Sequence, residues 1–183
     1  DGLHAMHQQQ ADANALGCNT ACITYPEGWR GLDERDFINL IHTTARAMKA
    51  DGGRNIALVA TPGTVNSHAY RDAVGALRTG QNVLEIGANE WAAAVNALQH
   101  QATDGPELVA IQKLVAKYIN ADRIPAETET LWLCCTHYPA LAKLIRQQLD
   151  ASGLGHVKVI DPMQYQARAL VDRLIERGVL KQE

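Results

Sequence analysis

Short β-branched or aliphatic runs alternate along this chain with longer segments whose apolar residues recur at helical spacing, and that alternation leaves few folds open. The runs cover residues 13–18, 37–41, 55–60, 82–86, 130–134 and 157–160. Between them, Tyr70, Ala73, Val74 and Leu77 follow i, i+3, i+4, i+7, as do Trp91, Ala94, Val95 and Leu98. Three further helices are marked by Leu108, Ile111, Val115 and Ile119, by Leu141, Leu144, Ile145 and Leu149, and by Ala167, Leu170, Val171, Leu174 and Ile175. Strands separated by whole helices pair in parallel, with the crossovers on the sheet faces. The expected class is α/β. Breaks fall at Pro26-Glu27-Gly28 with Gly31, at Asp51-Gly52-Gly53, at Thr103-Asp104-Gly105-Pro106 and at residues 151–155, none long enough for a flexible linker.

Charge narrows the function. The chain of 183 residues carries 20 acidic and 17 basic side chains, a net charge of −3, and its Lys and Arg are scattered singly. Nucleic acid leaves a basic footprint, and none is present, so a small metabolite is the expected partner. No apolar run approaches the roughly 20 residues that span a bilayer, and no basic-then-apolar leader is visible, so a cytoplasmic location is expected. Residue 1 is Asp, which points to a processed or trimmed chain or to part of a longer reading frame. The four cysteines, Cys18, Cys22, Cys134 and Cys135, sit in apolar stretches, unlike a secreted disulfide framework, and are expected to be reduced.

One local pattern occurs twice: a strand that runs into cysteine and then polar residues. It reads Leu16-Gly17-Cys18-Asn19-Thr20 and Leu133-Cys134-Cys135-Thr136-His137-Tyr138-Pro139. Ligands of parallel α/β sheets bind at the carboxyl ends of strands, so both patterns are expected to face a crevice. Pro139 fits the first turn of a following helix, which places Cys135 before a helix N-terminus and predicts a lowered thiol pKa. One thiolate that removes a proton, opposite a thiol that supplies one, makes a cofactor-free proton-transfer site, and His137 can assist Cys135.

Zinc is the competing chemistry, because Cys18, Cys22, Cys134, Cys135 and His137 supply enough soft ligands. The spacing argues against it: adjacent Cys134 and Cys135 point to opposite faces of a strand, and His4, His7, His42, His68, His100 and His156 add no metal-ligand pattern. No metal and no cofactor are expected. Thr61-Pro62-Gly63-Thr64-Val65 follows one strand and precedes a helix, so it lines the same crevice or simply caps that helix. Nucleotide-binding glycine patterns are missing. Asp161 reads as a helix N-cap.

Taken together, Cys18-Asn19-Thr20-Ala21, the stretch Ala60-Thr61-Pro62-Gly63-Thr64-Val65 with Ser67 and Ala69-Tyr70, and Cys135-Thr136-His137-Tyr138-Pro139 resemble the motifs of the glutamate racemases, within the aspartate/glutamate racemase superfamily. Aspartate racemases typically carry Cys-Thr-Glu where this chain has Cys-Thr-His. The resemblance implies cofactor-independent, two-base racemisation of L- and D-glutamate, with D-glutamate feeding bacterial peptidoglycan. It implies that Cys18 is the base for the D-enantiomer, Cys135 the base for the L-enantiomer and His137 the assistant of Cys135. Asn19, Thr20, Thr64 and Thr136 match substrate-binding positions. The implied fold is two parallel-sheet α/β lobes: residues 1–41 with 157–183 form the first, incomplete here, and residues 42–156 the second. A homodimer is left open. Three family features have no counterpart: an Asp-Ser strand end, a Pro-Tyr-Gly loop, and a Glu near Val95, where Asn96 stands. Low activity of the chain on its own is therefore expected. Racemisation of aspartate or another amino acid, and a non-catalytic binding role, are the alternatives.

Overall fold

The computed structural model describes residues 11–24, 37–51, 53–98 and 105–181. The breaks expected at Pro26–Gly31, Gly52 and Thr103-Asp104 lie outside the described residues. Two parallel sheets are present. The smaller pairs β1 (Asn14–Leu16) with β2 (Phe37–Asn39), and the larger has the order β4-β3-β5-β6, with β3 Asn55–Ala60, β4 Asn82–Gly87, β5 Thr130–Cys134 and β6 Lys158–Ile160. The helices are α1 Asn19–Thr24, α2 Leu40–Asp51, α3 Pro62–Asn66, α4 Ala69–Ala76, α5 Trp91–Leu98, α6 Pro106–Tyr118, α7 Ala142–Ala151 and α8 Met163–Glu176.

Side-chain alternation along the central strands divides the core into two layers. Ala57, Val59, Leu131 and Leu133 face one side of the larger sheet, where Trp91, Val95, Ile111, Val115, Ile145 and Leu149 from α5, α6 and α7 cover them. Ile56, Leu58, Ala60, Trp132 and Cys134 face the other, against Leu40, Ile41, Ala45 and Met48 of α2, Tyr70 and Val74 of α4, and Cys22 of α1. A central parallel strand buried on both faces reads as an unbroken apolar run, and Leu131 to Cys134 does so.

Three strands are shorter than expected, β6 only by Val157. The run 37–41 stops at Asn39, whose Oδ1 accepts from Ile41 N at 2.8 Å and His42 N at 3.3 Å, so Leu40 and Ile41 open α2 instead of ending β2. The run 13–18 stops at Leu16, leaving Cys18 beyond the strand. In the segment 157–183, β6 pairs with β5 in the larger sheet, whereas α8 packs on β1, β2 and α2. Gln166 of α8 is buried and donates to Leu16 O at 2.9 Å and Ile38 O at 3.1 Å, tying the helix to both strands of the smaller sheet. Asp161 Oδ1 accepts from Met163 N at 2.9 Å, but the N-cap expected at Asp161 falls one residue later, at Pro162.

Candidate active site

Strand ends gather the chemistry. After β1 the chain passes through Gly17 and Cys18 into α1, and Cys18 O accepts from Cys22 N at 2.9 Å, so the exposed Cys18 thiol sits at the first turn of that helix. Register places Ala60 of β3 beside Cys134 of β5, so Thr61 and Cys135 leave adjacent strands side by side. Thr61 then caps α3 by accepting from Thr64 N at 3.4 Å, with Pro62 in the first turn.

Three hydroxyls join the β1 end to the β3 end. Thr20 Oγ1 lies 3.0 Å from Thr61 Oγ1 and 3.2 Å from Thr64 Oγ1, and Thr61 and Thr64 are 3.0 Å apart. Thr20 is exposed and Thr64 fully buried, so the triangle runs from the crevice rim into the core. Asn19 is buried, and its Oδ1 accepts from the Tyr70 hydroxyl.

Cys135 ends the other side. Its Sγ lies 3.8 Å from His137 Nδ1, and Thr136 between them is exposed. The structure corrects the lowered thiol pKa expected there: burial raises Cys135, backbone N–H groups of His137 and Tyr138 lower it by less, and charge on Cys18 raises it again. The helix after Cys135 begins with only a short 3₁₀ turn, Tyr138–Leu141, before α7, and so little dipole does not offset desolvation of a residue 7% exposed.

The remaining cysteines are occupied elsewhere. Cys22 is buried and donates from Sγ to Leu16 O at 3.3 Å, and its thiol is pushed up to about 11 by desolvation. Cys134 points into the layer opposite to Cys135 and is pushed up by burial. Among the described residues no group of three or more His, Cys, Asp or Glu converges as metal ligands do.

The Asp/Glu/Hydantoin racemase family matches residues 1–170. The chain belongs to that family. A glutamate racemase from Gloeobacter violaceus is 32% identical over 161 residues, covering 87% of this chain and 56% of the relative, and one from Synechococcus sp. is 28% identical over 165 residues, 90% and 57%. The chain thus spans a little over half the length of these curated relatives. Among solved structures, a glutamate racemase isoform from Bacillus anthracis aligns with a TM-score of 0.80 at 24% identity over 97% of this chain and 63% of that one. The glutamate racemase from Francisella tularensis, solved with D-glutamate, gives 0.78 at 21% over 97% and 62%. These structural likenesses establish the racemase fold.

Within the racemase fold of this chain, Asn96 is exposed on α5. Glu90 precedes that helix, held down to about 2 by hydrogen bonds from Lys117 and Tyr118, and Tyr138, three residues after Cys135, is raised chiefly by burial, with a smaller push from the Glu90 charge. Sequence reasoning gave Tyr70 no role of its own: it entered as the first apolar position of a helix and as part of the second racemase-like stretch. The signal that marks it is its place in Ser67-His68-Ala69-Tyr70, where a polar stretch gives way to the apolar face.

Proposed function

We propose that this family member racemises glutamate by two-base proton transfer between Cys18 and Cys135. The observation that carries the reading is that Cys18 and Cys135 leave the carboxyl ends of strands in different sheets, with Thr20 beside Cys18 bonded to Thr61 and Thr64 next to the strand end that carries Cys135. In one direction a thiolate breaks the α-C–H bond and forms S–H, and the opposite thiol then gives its proton to the other face of the carbanion. His137, 3.8 Å from Cys135 Sγ, takes and returns the Cys135 proton. Asn19, Thr20, Thr64 and Thr136 supply hydrogen bonds to the amino acid, and bonds to its α-carboxylate stabilise the charge that develops as the proton leaves. Neither a metal nor an organic cofactor enters this scheme. D-Glutamate made in the bacterial cytoplasm for peptidoglycan is the product that fits it, and the Cys-Thr-His sequence supports glutamate over aspartate.

Serine tests the thiols, because it is nearly isosteric but far less acidic. In the full-length polypeptide that carries this chain, Cys18→Ser and Cys135→Ser each abolish racemisation, followed by polarimetry, while circular dichroism stays unchanged. Near wild-type turnover by either variant refutes the two-thiol mechanism.

A further inference from the structure

We infer that Tyr70 is a positioning residue that holds the Cys18 loop in register with the strand that leads to Cys135. The inference rests on the two-thiol reading above and adds a residue to it. Tyr70 is fully buried in α4. Its hydroxyl donates to Asn19 Oδ1, the residue joined to Cys18, and its ring lies in the same buried cluster as Cys134, the residue joined to Cys135. One side chain therefore links the neighbourhoods of both candidate bases, by a hydrogen bond to Asn19 and by packing in the cluster that holds Cys134. Asn19 Nδ2 is buried and has no hydrogen-bond partner among the described residues, so the bond from Tyr70 is the contact that fixes the amide orientation at the start of α1.

The helix that carries Tyr70 is braced on its outer side. Glu85 of β4, with its side chain 2% exposed, lies 3.0 Å from Arg71 Nη2 and 3.0 Å from His68 Nδ1. His68 takes the left-handed φ of 54° at the start of α4, a conformation that costs a side-chain-bearing residue energy and that this contact accompanies. Tyr70 thus projects from a helix fixed to the larger sheet and reaches the helix that follows the smaller one. Deleting its hydroxyl leaves the ring packed and removes the bond to Asn19. Reacting groups misplaced by about 1 Å lose rate on the order of a hundredfold.

Tyr70→Phe and Cys134→Ala test this in the full-length polypeptide, with three readings: glutamate turnover in each direction, alkylation rates of Cys18 and Cys135, and amide hydrogen exchange over residues 18–24 and 135–138. For Tyr70→Phe, kcat falls about tenfold or more in both directions with KM little changed. Cys18 alkylation and exchange over 18–24 quicken, while exchange across β3 and β5 does not. Cys134→Ala, which keeps the Tyr70–Asn19 bond, leaves Cys18 alkylation near the wild-type rate. A Tyr70→Phe protein with unchanged kcat and unchanged Cys18 alkylation overturns the inference, as does a change confined to KM. Exchange that quickens equally across β3 and β5 also overturns it, because Tyr70 is then only a core residue. If the parent protein does not turn over glutamate, the glutamate reading fails separately, and alkylation and exchange decide the role of Tyr70.

Discussion

Alkaline pH separates the cysteines of this chain by their burial, and Cys22 is the one for which the effect can be worked through. Its thiol is 2% exposed and displaced by desolvation from 9.0 to about 11. In the unfolded chain this thiol loses its proton from pH 9 upward, whereas in the folded chain it stays neutral until about 11. The unfolded state therefore binds fewer protons over that window, and rising pH favours unfolding. The stabilising difference is complete below pH 9, is lost as pH rises through 11, and amounts to about 3 kcal/mol. Cys134, Tyr70 and Tyr138 are raised by burial as well, so they add loss of the same sign. The share of Cys22 is isolated by Cys22→Ala, which at neutral pH costs about 1–2 kcal/mol through the lost contact to Leu16 O and a small cavity. Urea unfolding under reducing conditions, repeated from pH 7 to pH 11.5 at fixed ionic strength, then shows the variant less stable at pH 7 and more stable at the alkaline end. A constant difference between the two curves refutes the assignment of Cys22 as a desolvated core thiol.

Iodoacetamide at neutral pH modifies Cys18 well before Cys135, because Cys18 is exposed while Cys135 is buried with its thiol raised. Peptide mass mapping against time checks the order, and equal rates contradict it. Thr64→Val removes the contacts of Thr64 with Thr20 and Thr61 but leaves those two bonded to each other, so it costs about 1–2 kcal/mol in urea unfolding. A cost below about 0.5 kcal/mol means that the triangle does not hold the two strand ends together. On the two-thiol reading, racemisation is expected to survive treatment with chelators. Stoichiometric zinc by elemental analysis, with turnover lost on its removal, overturns the cofactor-free scheme.

Parallel strands alternating with helices were legible in the sequence because each central strand of the larger sheet is an unbroken apolar run bounded by turn residues, as in Asn55–Ala60 and Thr130–Cys134. The α2 helix was not, since Thr43, Thr44, Ala45 and Ala47 are buried in it and such small or hydroxylated residues carry little hydrophobic periodicity. The boundary between β2 and α2 depends on Asn39 turning its side chain onto the next amides, which a pattern of apolar residues does not register. Opposite burial of Cys134 and Cys135 followed from strand alternation alone, whereas the protonation of Cys135 did not. Position before a helix suggested a thiolate, but burial depends on contacts among α5, the 3₁₀ turn and β5 that are distant in sequence. On the two-thiol reading this difference has a mechanistic consequence. A Cys135 that rests as the neutral thiol is ready to deliver a proton and must first lose one to act as a base. The acceptor within reach is His137 Nδ1 at 3.8 Å, so the base role of Cys135 depends on His137 being neutral.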